Sequence, residues 1–559
     1  LENNHFVVSG PTTASVDADA DEVTFGPVGS ARRFDVVLWV NGLPLAVGET
    51  KTPVKASVSW LNAARDIATV YEVEKPTFFA PNVLSVATEG VEFHYGAVGQ
   101  PAESWLMGGS TADPFDLGGF DRVQRSVDLL LTPARVLSIL RDFTLFEQVP
   151  GGGMRKLIPR YPQMEAAEAI VDRVLSGGQR GLIWHYQGTG KSLLMAFAAL
   201  MLLNDDAVGG PTVVVVLDRL DLVEQIERQF KTAGLPRVST ANTKEELRTV
   251  LREDKRGIVL TTIFRFEGAG ELNDRDNIIV FVDEAHRTQQ GRLGDDMREA
   301  LPNARFFGLT GTPIADKERN TFKLFGDPDD PDFVLNSYSM ERSIADGASV
   351  PIHVETRLVD FHLDRTALDE AFDALAEEEN LTEEQREFLA SKAGHVKTIL
   401  LDPDRITAVC EDILDHYEAK VAPLGLKAQI VAFDRELVVA YDKELARLIA
   451  ERGLPYEVAV VMTVGTSKEE PLSWAEYALD RANEAHVKTR FNDPDDPLTF
   501  VIVTAKWLTG WDAPICGVQY ADRPLKRHTL FQAITRTNRR YTHPITGQDK
   551  TNGLIVDYI

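Results

Sequence analysis

Runs of β-branched and other apolar residues recur through the middle of the chain, at Val213 to Leu217, Ile258 to Thr262, Ile278 to Asp283 and Phe306 to Thr310. Between them lie stretches such as LDLVEQIERQF from Leu220, whose apolar positions fall three and four apart. Continuous apolar runs predict strands buried on both faces, and the helical spacing between them predicts the cover, so the pattern is that of a parallel sheet in an α/β domain. A second series follows beyond Pro351, with KAQIVAF from Lys427, YEVAVVM from Tyr456, TFVIVTA from Thr499 and GVQYA from Gly517. Its last helix is expected in HTLFQAITRTNRR from His528.

The first part of the chain patterns differently. FDVVLWV from Phe34 and LAVGETK from Leu45 flank Asn41-Gly42-Leu43-Pro44, which predicts a hairpin folded about Gly42 and Leu43. Trp60 to Tyr71 reads as a helix, Thr77 to Thr88 as strand, turn and strand, Gly99 to Gly119 as loop, and Pro133 to Val149 as a helix. Pro150 to Gly153 reads as a linker. The expected organisation is a mixed α/β domain over 1–150 and two parallel-sheet lobes over 151–347 and 348–559. An acidic stretch from Leu368 to Ala390 is expected to be a solvated helical insertion.

Composition narrows the function. A chain of 559 residues exceeds one core, and a net charge of −26 argues against a protein that coats a polyanion with its whole surface, though not against a basic groove. Two cysteines, Cys410 and Cys516, are too few for a disulfide scaffold or a cysteine zinc site and suit a reducing cytoplasm. The longest apolar run, Leu193 to Leu203, is too short to span a bilayer. Because the chain opens at Leu1 and stops at Ile559 within the strand-like GLIVDYI, a fragment lacking both ends is expected.

Five groups of residues carry chemistry. LIWHYQGTGKS, Leu182 to Ser192, has the order strand, glycine loop, helix. Gly188, Thr189 and Gly190 would turn backbone N–H groups towards an anion, Lys191 would reach the β- and γ-phosphates, and Ser192 would offer a hydroxyl to Mg²⁺. His185 stands where the strict pattern has glycine. IIVFVDEAH then delivers Asp283, a candidate Mg²⁺ ligand, and Glu284, which can polarise water, at a strand's carboxyl end. Arg160 and Gln163 stand ahead of the loop, where an adenine edge could be read, and Arg536 and Arg539, three apart, would share a helical face as arginine fingers. In the hairpin, Asp35 falls roughly opposite Thr50 and hence near Glu49 and Lys51. Two acids and a lysine suit Mg²⁺-dependent phosphodiester hydrolysis, with Asp35 and Glu49 holding the metal; an edge hairpin with a surface acid–lysine pair is the plainer alternative.

Taken in order, RYPQMEAAEA, HYQGTGKS, VLDRLDLVEQ, TTIFRF, DEAH, TGTP, LTGWDAP and QAITRTNR resemble the motifs of helicase superfamily 2. Within it they resemble the motor (R) subunit of type I restriction endonucleases, and RRFDVVLWVNGLPLAVGETK resembles its PD-(D/E)-x-K nuclease motif, with Phe34 in place of proline. Thr535 replaces a glycine of the last helicase motif, and Ile67 stands where the nuclease family tends to place Gln in Gln-x-x-x-Tyr before Tyr71. The resemblance implies a nuclease domain followed by two RecA-like lobes, with ATP hydrolysed between the lobes. Gly510 and Asp512 would join the nucleotide site, and backbone phosphates would run past Thr261, Thr262 and Thr509. It further implies cleavage of unmethylated double-stranded DNA in the cytoplasm, with methylase and specificity subunits as partners. A remodeller or helicase with a spent nuclease fold, a type III restriction subunit, and a nucleotide-gated scaffold remain the alternatives.

Overall fold

The structure, a computed structural model, describes residues 6–9, 23–25, 32–55, 57–148, 153–285, 293–313, 320–357, 399–464, 471–504, 507, 511–523 and 535–558. It has two compact units, Leu1–Asp346 and Gly347–Ile559.

The first unit opens with a mixed six-stranded sheet, in the order Phe6–Ser9, Val36–Val40, Leu43–Thr50, Leu84–Thr88, Phe93–Gly96 and Leu106–Met107. Its pairs are antiparallel except Leu43–Thr50 with Leu84–Thr88, which run parallel across a helical crossover. The hairpin turns at Asn41-Gly42, one position earlier than expected, because both residues adopt positive φ, as a type I′ connection requires. An irregularity between Leu38 and Trp39 then shifts the register, so that Val36 faces Gly48. Gly48 lies in the regular ladder with no room for a Cβ, which would come within 2.9 Å of Val86 and 3.2 Å of Val36.

Three expected elements differ, the first being the expected loop Gly99 to Gly119, which carries the edge strand Leu106–Met107. Thr77 to Thr88 is a short helix, Pro76–Phe79, followed by one strand, Leu84–Thr88. The helix from Pro133 ends at Asp142, and Leu145–Gln148 pairs with Met154–Leu157 as an antiparallel ribbon around the expected linker, most of which lies outside the described residues. Leu145 and Phe143 are buried and Phe146 is exposed, an alternation of period two that a helix could not keep.

The parallel sheet of this unit has seven strands in the order Val238–Thr240, Gly257–Thr262, Thr212–Leu217, Ile278–Asp283, Arg305–Thr310, Arg180–His185 and Asn336–Tyr338. Every pair is parallel, and Thr212–Leu217 and Gly257–Thr262 are buried along their whole length. The apolar helix Lys191–Asn204 lies in the same buried cluster as Leu38, Val40 and Leu45 of the first sheet. The two sheets therefore share one continuous core. Asp346 ties helix Gly119–Leu130 to the parallel sheet: it accepts from Arg122 of that helix at 2.8 Å, from Tyr338 at 2.9 Å and from Tyr161.

The second unit is a six-stranded, all-parallel sheet in the order Ile352–Thr356, Gly553–Asp557, Cys516–Asp522, Lys427–Ala432, Leu498–Val503 and Glu457–Val461. Buried Arg405 clamps its centre by forking onto Asp522 at 2.5 and 2.8 Å, and Tyr441 donates to the same carboxylate. The acidic stretch 368–390 lies outside the described residues. Among the described residues no helix is long and apolar enough to cross a membrane.

Candidate active sites

The hairpin brings the expected acids and lysine to one end of the first sheet. Asp35 precedes strand Val36–Val40, and its Oδ2 accepts the Thr50 N–H at 2.8 Å and the Thr50 hydroxyl at 2.9 Å. Glu49 is only 6% exposed, and its Oε1 accepts the Lys51 ammonium at 2.7 Å, as residues two apart on a strand must share a face. Burial raises the Glu49 carboxyl above its usual range, and the Lys51 bond opposes that shift. Its other oxygen, Oε2, is buried without a hydrogen-bond partner among the described residues. An orphaned, buried carboxylate oxygen costs about 1–3 kcal/mol unless something cationic meets it, so these donors fit a hard divalent cation. Among the described residues no group of three or more His, Cys, Asp or Glu side chains could hold a metal. Mg²⁺ needs only one or two carboxylates, its remaining positions being filled by water and phosphate oxygens, and Asp35 with Glu49 supply that number.

Asp66, which the sequence did not single out, also meets Lys51, at 2.7 Å. It begins a π-helical turn, Asp66–Tyr71, and the burial of a helix read at 3.6 residues per turn gives no sign of that insertion.

In the parallel sheet the phosphate loop follows strand Arg180–His185, and Gly188 and Gly190 have φ of +88° and +87°. Only glycine adopts that conformation cheaply, and a Cβ on Gly190 would stand 2.3 Å from Gln163 Nε2. Gln163 does not precede its helix. It lies in the first turn of Tyr161–Leu175, buried, with its amide donating to the carbonyls of Gly190 at 2.9 Å and Thr189 at 3.3 Å. Its oxygen accepts the Arg160 N–H at 2.8 Å. Its amide is committed to the loop and its oxygen to the start of its own helix, with one lone pair left over; Arg160, at the helix N-cap, stays beside it.

His185 occupies the expected glycine position without disturbing the loop, because it ends the strand and turns into the core. It bonds Asn336 at 2.6 Å, and burial pushes its pKa down to about 4, so it is neutral at physiological pH. Lys191 opens the helix and Ser192 follows; the Lys191 ammonium lies 3.5 Å from the His185 carbonyl, and Thr189 bonds the Tyr186 carbonyl at 2.7 Å. Asp283 ends its strand and Glu284 has φ +48°, a left-handed conformation that costs a non-glycine residue about 1–3 kcal/mol. That turn puts Glu284 Oε1 3.4 Å from the amide of Gln187 in the loop. Burial, and after it the Glu284 charge, push the Asp283 carboxyl up from its usual range, while Lys191 pulls it down. Loop, metal-ligand candidate and base candidate thus converge at the strands' carboxyl ends.

Other expectations need correction. Thr261 and Thr262 are buried at the end of their strand, and the Thr261 hydroxyl is spent on the Ala241 carbonyl at 3.0 Å, so neither side chain offers itself to DNA. Thr509 and Gly510 lie outside the described residues. Arg536 and Arg539 do not share a helical face. The helix ends at Thr537, and Arg539 forms an antiparallel bridge with Ser349. Arg536 is buried and donates to the Trp511 carbonyl, while the half-buried Arg539 pairs with Asp512 at 3.3 Å.

Comparison with known proteins bears on the family and the fold. Residues 18–104 match the family described as type I restriction enzyme R protein N terminus, 162–387 match SWI2/SNF2 ATPase, and 473–559 match type I restriction enzyme subunit R domain 3. Along these stretches the chain is similar to the R subunits of type I restriction enzymes and to SWI2/SNF2 ATPases. It is 32% identical, over 95% of its own length and 52% of the relative's, to the HindI endonuclease subunit of Haemophilus influenzae. It is 31% identical, over the same shares, to an endonuclease subunit assigned to type I enzyme MjaIXP of Methanocaldococcus jannaschii. The chain spans about half the length of these R-subunit relatives. A solved ATP-dependent Type ISP restriction-modification enzyme bound to DNA, LlaBIII, shares the fold, with a TM-score of 0.50 and 16% identity over 72% of this chain and 28% of that one.

Proposed function

We propose that this chain, as an R subunit, couples ATP hydrolysis to movement along double-stranded DNA and cuts that DNA when it is unmethylated, within a cytoplasmic assembly with methylase and specificity subunits. The observation that carries the reading is the presence, on one continuous core, of an Asp35–Glu49–Lys51 cluster and a phosphate loop facing Asp283 and Glu284.

In the motor, the N–H groups of the 188–190 loop and the Lys191 ammonium hold the β- and γ-phosphates of ATP, and Glu284 takes the proton of the attacking water. Gln163 keeps the loop in shape, Arg160 is the residue proposed to read the base, and Arg539, paired with Asp512, is the proposed arginine finger. In the nuclease, the Lys51 ammonium steadies charge on the phosphorane. Ser192 with Asp283, and Asp35 with Glu49, would hold Mg²⁺, which supplies charge neutralisation at both phosphorus centres.

The reading is tested with the full-length subunit assembled with its methylase and specificity partners on unmethylated circular DNA. ATP turnover and cutting are both expected, and both should vanish in Lys191→Ala. ATP turnover that persists in that variant contradicts the assignment of the loop.

A further inference from the structure

The Lys51 ammonium is held by two carboxylates, Glu49 Oε1 and Asp66 Oδ2, each at 2.7 Å. Burial alone would lower the pKa of this lysine, but the bonds to Asp66 and Glu49 outweigh it and the net shift is upward. Asp66 comes from a different element, following helix Trp60–Arg65, whose Ala63 and Ala64 are buried against the sheet.

The backbone there is built for this contact. The Glu72 N–H bonds the Ile67 carbonyl five residues back, which marks a π turn over Asp66–Tyr71. In an α-helix, residues five apart point about 140° away from each other. The wider π turn brings Asp66 and Tyr71 towards a common face, and such turns are frequent at functional sites. The Tyr71 hydroxyl is pushed up to about 12 by burial and then by the Glu49 and Asp66 charges, so both carboxylates lie near it.

A second observation shows what the contact achieves. Glu49 Oε2 is buried and unpartnered, while Oε1 shares Lys51 with Asp66. A lysine on a flexible stem, with about 2 kcal/mol of rotamer entropy, could pair with either oxygen of Glu49. With Asp66 drawing the ammonium to one side, Oε2 stays open for a cation and Lys51 stays fixed.

We propose that Asp66 is a positioning residue of the nuclease site, sharing the Lys51 ammonium with Glu49 and so fixing where it meets the scissile phosphate. The inference rests on the nuclease reading above. Asp66 replaces nothing in the nuclease motif itself, and it acts through Lys51 rather than on the metal.

The test uses the full-length subunit with its partners, and compares Asp66→Asn and Asp66→Glu with wild type in plasmid cutting, DNA-stimulated ATP turnover and the Mg²⁺ dependence of cutting. Asp66→Asn is expected to lower the maximal cutting rate at least about tenfold, as loss of a charge-assisted bond would. ATP turnover should be unchanged, which reports an intact fold, and the Mg²⁺ concentration for half-maximal cutting should shift less than about twofold because the metal ligands are untouched. Asp66→Glu should recover much of the lost rate. Wild-type cutting by Asp66→Asn, no recovery in Asp66→Glu, or a many-fold rise in the Mg²⁺ requirement would each overturn the inference. Lys51→Ala, assayed in parallel, separates the two failures: if it too cuts normally, the nuclease reading has failed; if it is inactive while Asp66→Asn is normal, only this inference has.

Discussion

Thr50 donates twice to the Asp35 carboxylate, from its backbone N–H at 2.8 Å and from its hydroxyl at 2.9 Å. Both bonds end on the same oxygen, Oδ2, so the carboxylate is oriented by the neighbouring strand and not by its own rotamer preference. Thr50→Val removes only the hydroxyl bond. A hydrogen bond to a charged group is worth about 1.5–3 kcal/mol, and the retained N–H bond holds part of the geometry. The expected result is a fall in cutting of roughly tenfold with ATP turnover unchanged, read from parallel assays on one preparation.

Glu284 is held in a left-handed conformation beside the phosphate loop. Glu284→Gln keeps the length and the contact to Gln187 but cannot take a proton. The variant should bind ATP with near-normal affinity and hydrolyse it at least about 100-fold more slowly. Equilibrium binding beside single-turnover hydrolysis separates this from a metal-ligand role, in which binding itself would be lost.

Arg536 and Arg539 part company in the structure, and their variants should too. Arg536 is buried and bonded to the Trp511 carbonyl, so Arg536→Ala should destabilise the second unit by about 2–3 kcal/mol, visible as a lower melting temperature. Arg539, half-buried and paired with Asp512, should contribute little stability, yet Arg539→Ala should lower ATP turnover steeply with nucleotide affinity almost intact.

Glu72 makes a pH-dependent contribution to stability. Burial pushes its carboxyl up to about 7, against the Gly99 N–H bond at 2.8 Å and the charge of Lys156, which lower it. A carboxyl whose folded pKa is raised favours the folded state when protonated. That contribution is complete below about 4.5, the unfolded value, and is lost as pH rises through about 7. Glu72→Gln should therefore raise the melting temperature at pH 8, by the equivalent of about 1–3 kcal/mol, and lose most of that advantage at pH 5.

The parallel sheets were legible because strands buried on both faces, such as Thr212–Leu217, must be written as unbroken apolar runs. The phosphate loop was legible because its glycines answer to backbone φ, which the sequence states directly. What was missed depends on tertiary contact. Leu145–Gln148 is a strand because Met154–Leu157 pairs with it across the expected linker. Arg539 leaves the helical face because it bridges Ser349, and Gln163 is drawn to the loop by two carbonyls that no spacing rule connects to it. Asp66 was hidden by the π turn, since a 3.6-residue reading directs it elsewhere.

The most direct measurement compares Asp35→Ala, Glu49→Ala and Lys51→Ala, each in the full-length subunit with its methylase and specificity partners. Cutting of unmethylated circular plasmid is read beside DNA-stimulated ATP hydrolysis. Each change should lower cutting at least about 100-fold and leave ATP hydrolysis within about twofold of wild type, because the three side chains belong to the hairpin and the phosphate loop follows a strand of the parallel sheet. Cutting that survives all three substitutions would contradict the account, because the active nuclease would then lie outside this hairpin.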